Sequence, residues 1–258
     1  MLLLIDIGNT NITIGFYDKG IKNVWRLNTI PDSRDADEYF YLLKGFVVHN
    51  KIKEPEGAAM CSVVPHITPL FIKAFRKIFG FEPLNVTYKL KTGLKFCIRK
   101  PQDLGADRIA NAAAAHKLYK GHLIVIDFGT ATTFCMISTK GEHKGGAIMP
   151  GLGISAHILF EKTAKLPRVE LKLPRKTIGD DTESNILSGI ILGHAGAVER
   201  IIREIKAEAA LDKDINVIAT GGFADLIVPY IKGIKKVNPY LTLEGLRIIY
   251  ELNSKKAV

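Results

Sequence analysis

The chain has 258 residues, 47% hydrophobic and 8% aromatic, enough for one large domain or two lobes of ordinary size. No uninterrupted apolar run approaches the length of a membrane span, so the composition points away from a membrane-embedded chain. The formal charge of +10 comes from scattered basic residues. Only 162–176 (Lys162, Lys165, Arg168, Lys172, Arg175, Lys176) approaches a cluster, with no aromatic residues interleaved for stacking, so a solvated basic face is expected rather than a nucleic-acid site.

Residues 3–15 read as an apolar strand ending in Asp6, a turn, and a second strand. The start, Met1-Leu2-Leu3-Leu4-Ile5, lacks a basic segment and is closed by Asp6, which is not the pattern of a secretion signal. A third strand is expected at 23–28. Residues 31–50 predict a helix, with acids early (Asp35, Asp37, Glu38) and Tyr39, Leu42, Leu43 and Phe46 on one side. Residues 58–64 read as a buried strand, and Pro65 and Pro69 open a helix at 70–79. An alanine-rich helix at 104–118 is expected to link two lobes.

From residue 124 the theme repeats, with a strand ending in Asp127, a turn and another strand to residue 137. The longest helix is expected at about 183–207, with Ile186, Leu187, Ile190, Ile191, His194, Val198, Ile201, Ile202 and Ile205 along a broad apolar stripe. Ser188, Gly189, Gly193, Ala195 and Gly196 make the adjoining faces small and suited to close helix approach. His194 reads as a core or interface histidine. Residues 216–222 read as a strand ending in Gly221-Gly222, and a disordered tail is confined to 254–258. Alternating strands and helices give an α/β fold, with lobes at 1–115 and 116–258. Cys61, Cys97 and Cys135 form no CxxC pair, which favours a reduced, cytoplasmic protein with buried thiols.

The two hairpins carry the chemistry. Each offers a carboxylate (Asp6, Asp127), a glycine expected to supply unusual dihedrals (Gly8, Gly129) and a threonine (Thr10, Thr130), and the two acids are 121 residues apart. Such a turn can cradle phosphate oxygens while its carboxylate holds a hydrated cation. Alone, either hairpin is ordinary turn chemistry. Their duplication suggests two similar lobes facing one nucleotide. It resembles the actin-like, sugar-kinase-like superfamily, whose members bind ATP phosphates between two ribonuclease-H-like lobes. Neither a Walker A GxxxxGK[ST] nor an HRD/DFG set is present.

Between the hairpins, Gly105-Ala106-Asp107-Arg108 opens the alanine-rich helix. Asp107 there is either a capping carboxylate or a catalytic group, and the spacing alone leaves both open.

Taken together, the motifs resemble type III pantothenate kinases over nearly the whole length. The matching pieces are Asp6-Ile7-Gly8-Asn9-Thr10-Asn11-Ile12-Thr13, Gly105-Ala106-Asp107-Arg108, Asp127-Phe128-Gly129-Thr130-Ala131-Thr132 and Gly145-Gly146 through Leu152. Thr163 to Arg168, Ile178 to Thr182 and Ala219 to Gly222 follow in order. The resemblance implies ATP-dependent phosphorylation of pantothenate, the first step toward coenzyme A. It implies that Asp6–Thr13 binds ATP phosphates with Asp6 near magnesium, and that Thr130 contacts phosphate. Gly221 and Gly222 would lie against the adenosine. Gly105, Ala106, Asp107, Arg108 and Thr182 would bind pantothenate, with Asp107 as general base. Asp127 would ligate a monovalent cation, potassium or ammonium. The resemblance also implies a homodimer with the pantothenate pocket at the subunit boundary.

Two positions depart from the family pattern. Ile98 stands where a tyrosine is common, and Asp180-Asp181 replaces the commoner Lys-Asn before Thr182. A kinase for another hydroxylated acceptor, or a non-catalytic regulator like the Bvg accessory factor, are the competing readings.

Overall fold

Residues 2–7 are apolar except for Asp6, the pattern of a strand covered on both faces, and they form the central strand β1 (Leu2–Ile7) of a mixed sheet. This computed structural model describes residues 1–30, 34–52, 55–209 and 215–254. The chain divides into two units. The first comprises Met1–Leu94, Arg99–Lys117 and the described residues from Tyr240 onward; the second comprises Lys95–Ile98 and Leu118–Pro239.

In the first unit, β2 (Asn11–Tyr17) and β3 (Ile21–Asn28) run antiparallel beyond β1 on one side. On the other side, β4 (Gly57–Ser62) and the short β5 (Leu84–Asn85) run parallel to it, giving the order β3-β2-β1-β4-β5. Leu3, Ile5, Ile7, Ile12, Ile14 and Met60 share one core with Tyr39, Leu43 and Phe46 of helix α1 (Ala36–His49) and Phe71 and Phe75 of α2 (Ile67–Phe79). Asp35 caps α1 in a reciprocal capping box with Glu38, as its position before the apolar stripe predicts. The helix expected from Pro31 therefore begins only at Ala36, because Asp35, in extended backbone, caps it; Pro31 itself and the tail beyond Ser254 lie outside the described residues. The strand expected at 58–64 ends at Ser62, although the Val63 N–H still donates to the Ile7 carbonyl (3.0 Å). The Thr68 hydroxyl donates to the Val64 carbonyl (2.9 Å), so α2 begins at Ile67 rather than at residue 70. Helix α3 (Ala106–Leu118) buries an unbroken run from Ile109 to Ala115.

The second unit repeats the order. In it β7 (His122–Phe128) is central, with β8 (Ala131–Ile137) and β9 (Glu142–Gly145) antiparallel on one side. On the other side lie β11 (Ile215–Thr220) and β12 (Ile234–Val237), both parallel to it. Two short strands, β6 (Lys95–Phe96) beside β9 and β10 (Ile148–Pro150) beside β8, extend this sheet. Helices α4 (Leu152–Glu161), α5 (Thr182–Glu208) and the single turn α6 (Ala224–Ile227) surround it. Asp181 caps α5, its carboxylate accepting from the Ser184 N–H (2.7 Å), so the departure at 180–181 builds a helix start.

The last helix, α7 (Leu241–Asn253), corrects the expected boundary that assigned everything after residue 115 to one lobe. It returns to the first unit, packing on β1, β4 and α3. A Cβ on Gly245 would strike the Ala110 backbone, and Thr242 donates to the buried Asn111 Oδ1 (2.8 Å). Among the described residues no helix is long and apolar enough to cross a membrane.

Candidate active site

The register builds the first turn. Asp6 pairs with Thr13 and Ile7 with Ile12, leaving Gly8 to Asn11 as the loop. The Gly8 N–H donates to the Asn11 carbonyl (2.9 Å). Thr29, just past β3, clamps the loop from outside. Its N–H donates to the Thr10 carbonyl (2.8 Å) and its hydroxyl to the Gly8 carbonyl (2.6 Å). Asn9, Thr10 and Asn11 are exposed, as a ligand-facing turn requires. Gly8 does not adopt a left-handed φ, contrary to expectation; a Cβ there would lie 3.1 Å from the Asn11 carbonyl oxygen, so the position needs room rather than dihedral freedom.

Strand pairing then brings Cys61 of β4 beside Asp6, and the thiol donates to Asp6 Oδ1 (3.2 Å). Burial first, and then the carboxylates of Asp6 and Asp107, push the Cys61 thiol well above its ordinary pKa, so it remains a neutral donor. Asp6, Cys61 and Asp107 thus occupy one neighbourhood of the first unit.

Asp107 lies within the first turn of α3, and its carboxylate folds back on the helix start. Oδ1 accepts from the Arg108 N–H (2.8 Å) and occupies the space that a Cβ on Gly105 would need. Burial raises the Asp107 carboxyl above its ordinary value, although the Arg108 N–H and guanidinium pull the other way. Gly105 and Ala106 line a cavity of about 520 Å³, with Ser62 and Val63 on one side and Asn85, Thr87, Lys89 and Gln102 among its polar groups. The structure therefore gathers Asp6, the 8–11 turn, Gly105, Ala106 and Asp107 in one unit. Arg108 is half-buried beside them.

The second turn is one residue shorter. Asp127 pairs with Thr133 and Phe128 with Thr132, leaving Gly129 to Ala131 as the loop. Counted back from its second strand, Thr130 matches Thr10, each two residues before the last pair. Gly129 also lacks a left-handed φ, and its Cβ would lie 3.4 Å from Asp127 Oδ1. The Gly151 N–H donates to the Thr130 carbonyl (3.2 Å), docking the start of α4 on the turn. Parallel pairing sets Thr220 beside Asp127, and Gly221 (φ +96°) follows in a conformation that favours glycine. A Cβ on Gly221 would meet the Asp127 carboxylate and the Phe128 backbone, so the packing here requires glycine. Its neighbour Gly222 faces open space, with nothing within 4 Å of an added Cβ. Thr182 is exposed at the first position of α5.

A second cavity, an apolar groove of about 690 Å³ between α4 and α5, is lined by Ile154, Ile158, Ile186, Ile190 and His194 among others. Gly189, Gly193 and Gly196 have nothing within 4 Å of an added Cβ. The expected close helix approach at these small residues is therefore not made within the described chain.

Sequence reasoning missed Thr29, the Cys61–Asp6 contact and the link from His194 to Thr132, since each depends on pairing distant in sequence. Among the described residues no group of three or more His, Cys, Asp or Glu could hold a metal ion. A lone carboxylate per turn, Asp6 or Asp127, suits a cation that takes its other oxygens from water and phosphate.

A repeated sheet order, with an acid-and-glycine hairpin at the heart of each unit, defines the fold of the actin-like, sugar-kinase-like superfamily. A ROK family glucokinase from Streptomyces griseus, solved with glucose and AMPPNP, shares it at 14% identity and a TM-score of 0.56, covering 95% of this chain and 97% of that one. A Baf family transcriptional activator from Campylobacter jejuni does so at 22% identity and a TM-score of 0.59, covering 97% and 98%. The sequence narrows the class. The family model for type III pantothenate kinase matches residues 2–204. A type III pantothenate kinase from Roseiflexus sp. (strain RS-1) is 49% identical over 256 residues, 98% of this chain and 99% of that protein. The chain belongs to the type III pantothenate kinase family.

Proposed function

We propose that this chain transfers the γ-phosphoryl group of ATP to the primary hydroxyl of pantothenate, giving 4'-phosphopantothenate. Beyond family membership, the observation that carries this reading is Asp107, a carboxylate of raised basicity held against Gly105, which itself lines the 520 Å³ cavity. Phosphoryl transfer needs positioning and charge neutralisation more than covalent chemistry. The cavity supplies positioning: Asn85, Thr87, Gln102 and Lys89 offer hydrogen-bonding groups suited to an amide and a carboxylate. The acceptor oxygen attacks phosphorus, the bond to the β–γ bridging oxygen breaks, ADP leaves, and the hydroxyl proton passes to the Asp107 carboxylate. General-base help of this kind is worth about 10²–10⁴-fold.

Asp6 and the 8–13 segment would hold the magnesium-bound phosphates, Thr130 would add a phosphate contact, and Asp127 would hold potassium or ammonium. These cations supply charge neutralisation when bound. Gly221 and Gly222 would lie against the adenosine, and Arg108 and Thr182 would complete the pantothenate site. The protein would act as a cytoplasmic homodimer, joined across the α4–α5 groove whose glycines meet nothing in their own chain.

A coupled ADP-release assay tests the reading with ATP, magnesium and a panel of acceptors, in potassium, ammonium or sodium buffer. The expected result is turnover with pantothenate alone and a clear gain from potassium or ammonium. Turnover with a sugar but not pantothenate would overturn the acceptor, and full activity in sodium would overturn Asp127 as cation ligand.

A further inference from the structure

His194 lies on α5, yet its chemistry points at the second phosphate turn. Its Nε2 and the Thr132 Oγ1 are 3.0 Å apart and share a hydrogen bond whose direction follows the imidazole tautomer. Its ring also packs on Phe128, with centroids 6.3 Å apart. Thr132 and Phe128 are the last pair before the Gly129–Ala131 loop, so His194 grips both legs of that hairpin where it closes. Thr132 is 0% exposed, and its other neighbour is Met149 of β10. The same histidine lines the α4–α5 groove beside Gly189, Ile190 and Gly193.

A merely space-filling residue at this position needs no polar atom. Burial lowers the His194 pKa, so the ring is held neutral, able to be donor or acceptor but not a cation repelled by the interior. A buried bond between two side chains far apart in sequence fixes one rotamer at each end. Thr132 stands on the strand leg from which Thr130 and Gly129 hang.

We propose that His194 is a positioning residue for the ATP-phosphate turn, acting through the Thr132 hydroxyl to hold the Gly129–Thr130 loop in its binding shape. The inference rests on the reading that Thr130 contacts phosphate. It assigns His194 an effect on nucleotide use from a place where it touches no nucleotide. It also gives the groove a route to the turn, because whatever seats against Gly193 and Ile190 seats against His194.

Kinetics on the intact protein test this, with KM for ATP and for pantothenate measured separately and thermal midpoints recorded. His194→Phe keeps the ring on Phe128 and loses the hydrogen bond; its KM for ATP is expected to rise about 10-fold with the pantothenate KM unchanged. His194→Gln, whose amide can reach the same hydroxyl, should recover most of the loss. Thr132→Val should reproduce the His194→Phe defect, and the double variant should be no worse than either single one. Thr132→Val is nearly isosteric and keeps the test open if His194→Phe does not fold. A wild-type KM for ATP in both single variants, or additive losses in the double one, would overturn the proposal. Thr130→Ala separates the two readings. If it raises the ATP KM while His194→Phe and Thr132→Val do not, only the positioning role fails. If it leaves KM unchanged while those two raise it, the positioning role stands and the phosphate contact moves elsewhere on the turn.

Discussion

Burial disfavours the charge on Asp107, so ionising its carboxyl costs free energy in the folded chain. The sign follows from linkage. A carboxyl whose folded pKa lies above its unfolded value binds its proton more tightly when folded. Folded stability therefore falls as pH rises from the ordinary aspartate value of 3.8 through the raised folded value, and stays lower above it. Asp107→Asn removes the charge while its amide oxygen can still accept from the Arg108 N–H. Urea denaturation should find the variant more stable than the parent at pH 7, with the advantage vanishing toward pH 3. A difference that stays constant across this range would remove the burial argument. The same raised value places the acidic limb of kcat/KM above the ordinary aspartate range, since only the ionised form takes a proton.

The elements were legible where local pattern and burial agree. The hairpins, α1 with its Asp35–Glu38 capping box, and α5 all carry their periodicity and caps in contiguous residues. Strands β5, β6 and β10 were not legible, because two or three residues hold no period and gain their pairing from neighbours far along the chain. The destination of α7 was hidden for a related reason: its apolar face is plain, but contacts far along the chain, such as Gly245 against Ala110 of α3 and Tyr250 over Gly57 of β4, say what it covers. At the site, the acids and glycines were legible as types. Their reasons were not, since Gly8, Gly105 and Gly221 answer to atoms that only the folded chain brings near. One element makes its own prediction. The α4–α5 groove exposes Ile154 and Ile158 beside glycines that meet nothing in their own chain, and a second copy is the proposed cover. Sedimentation velocity should find a dimer, and Ile158→Asp should shift it to monomer with its circular dichroism unchanged. A monomeric parent protein would contradict the assignment.

Across the whole molecule, one sheet plan serves two chemistries. Each unit carries an acid before a glycine turn, with the end of the parallel strand beside the central one (β4 or β11) packed next to that acid. The first unit adds Gly105 to Arg108 and a cavity whose lining includes polar groups, so that unit holds the groups proposed to select and activate the acceptor. The central claim is that Asp107 takes the acceptor's proton. Its most direct test is turnover of Asp107→Asn with ATP, magnesium and pantothenate, alongside nucleotide binding measured separately on the same preparation. The account predicts a loss in kcat of about 100-fold or more with nucleotide affinity retained, because the amide preserves shape but cannot accept the proton. Near-parental turnover would contradict it and reduce Asp107 to a residue that only shapes the start of a helix.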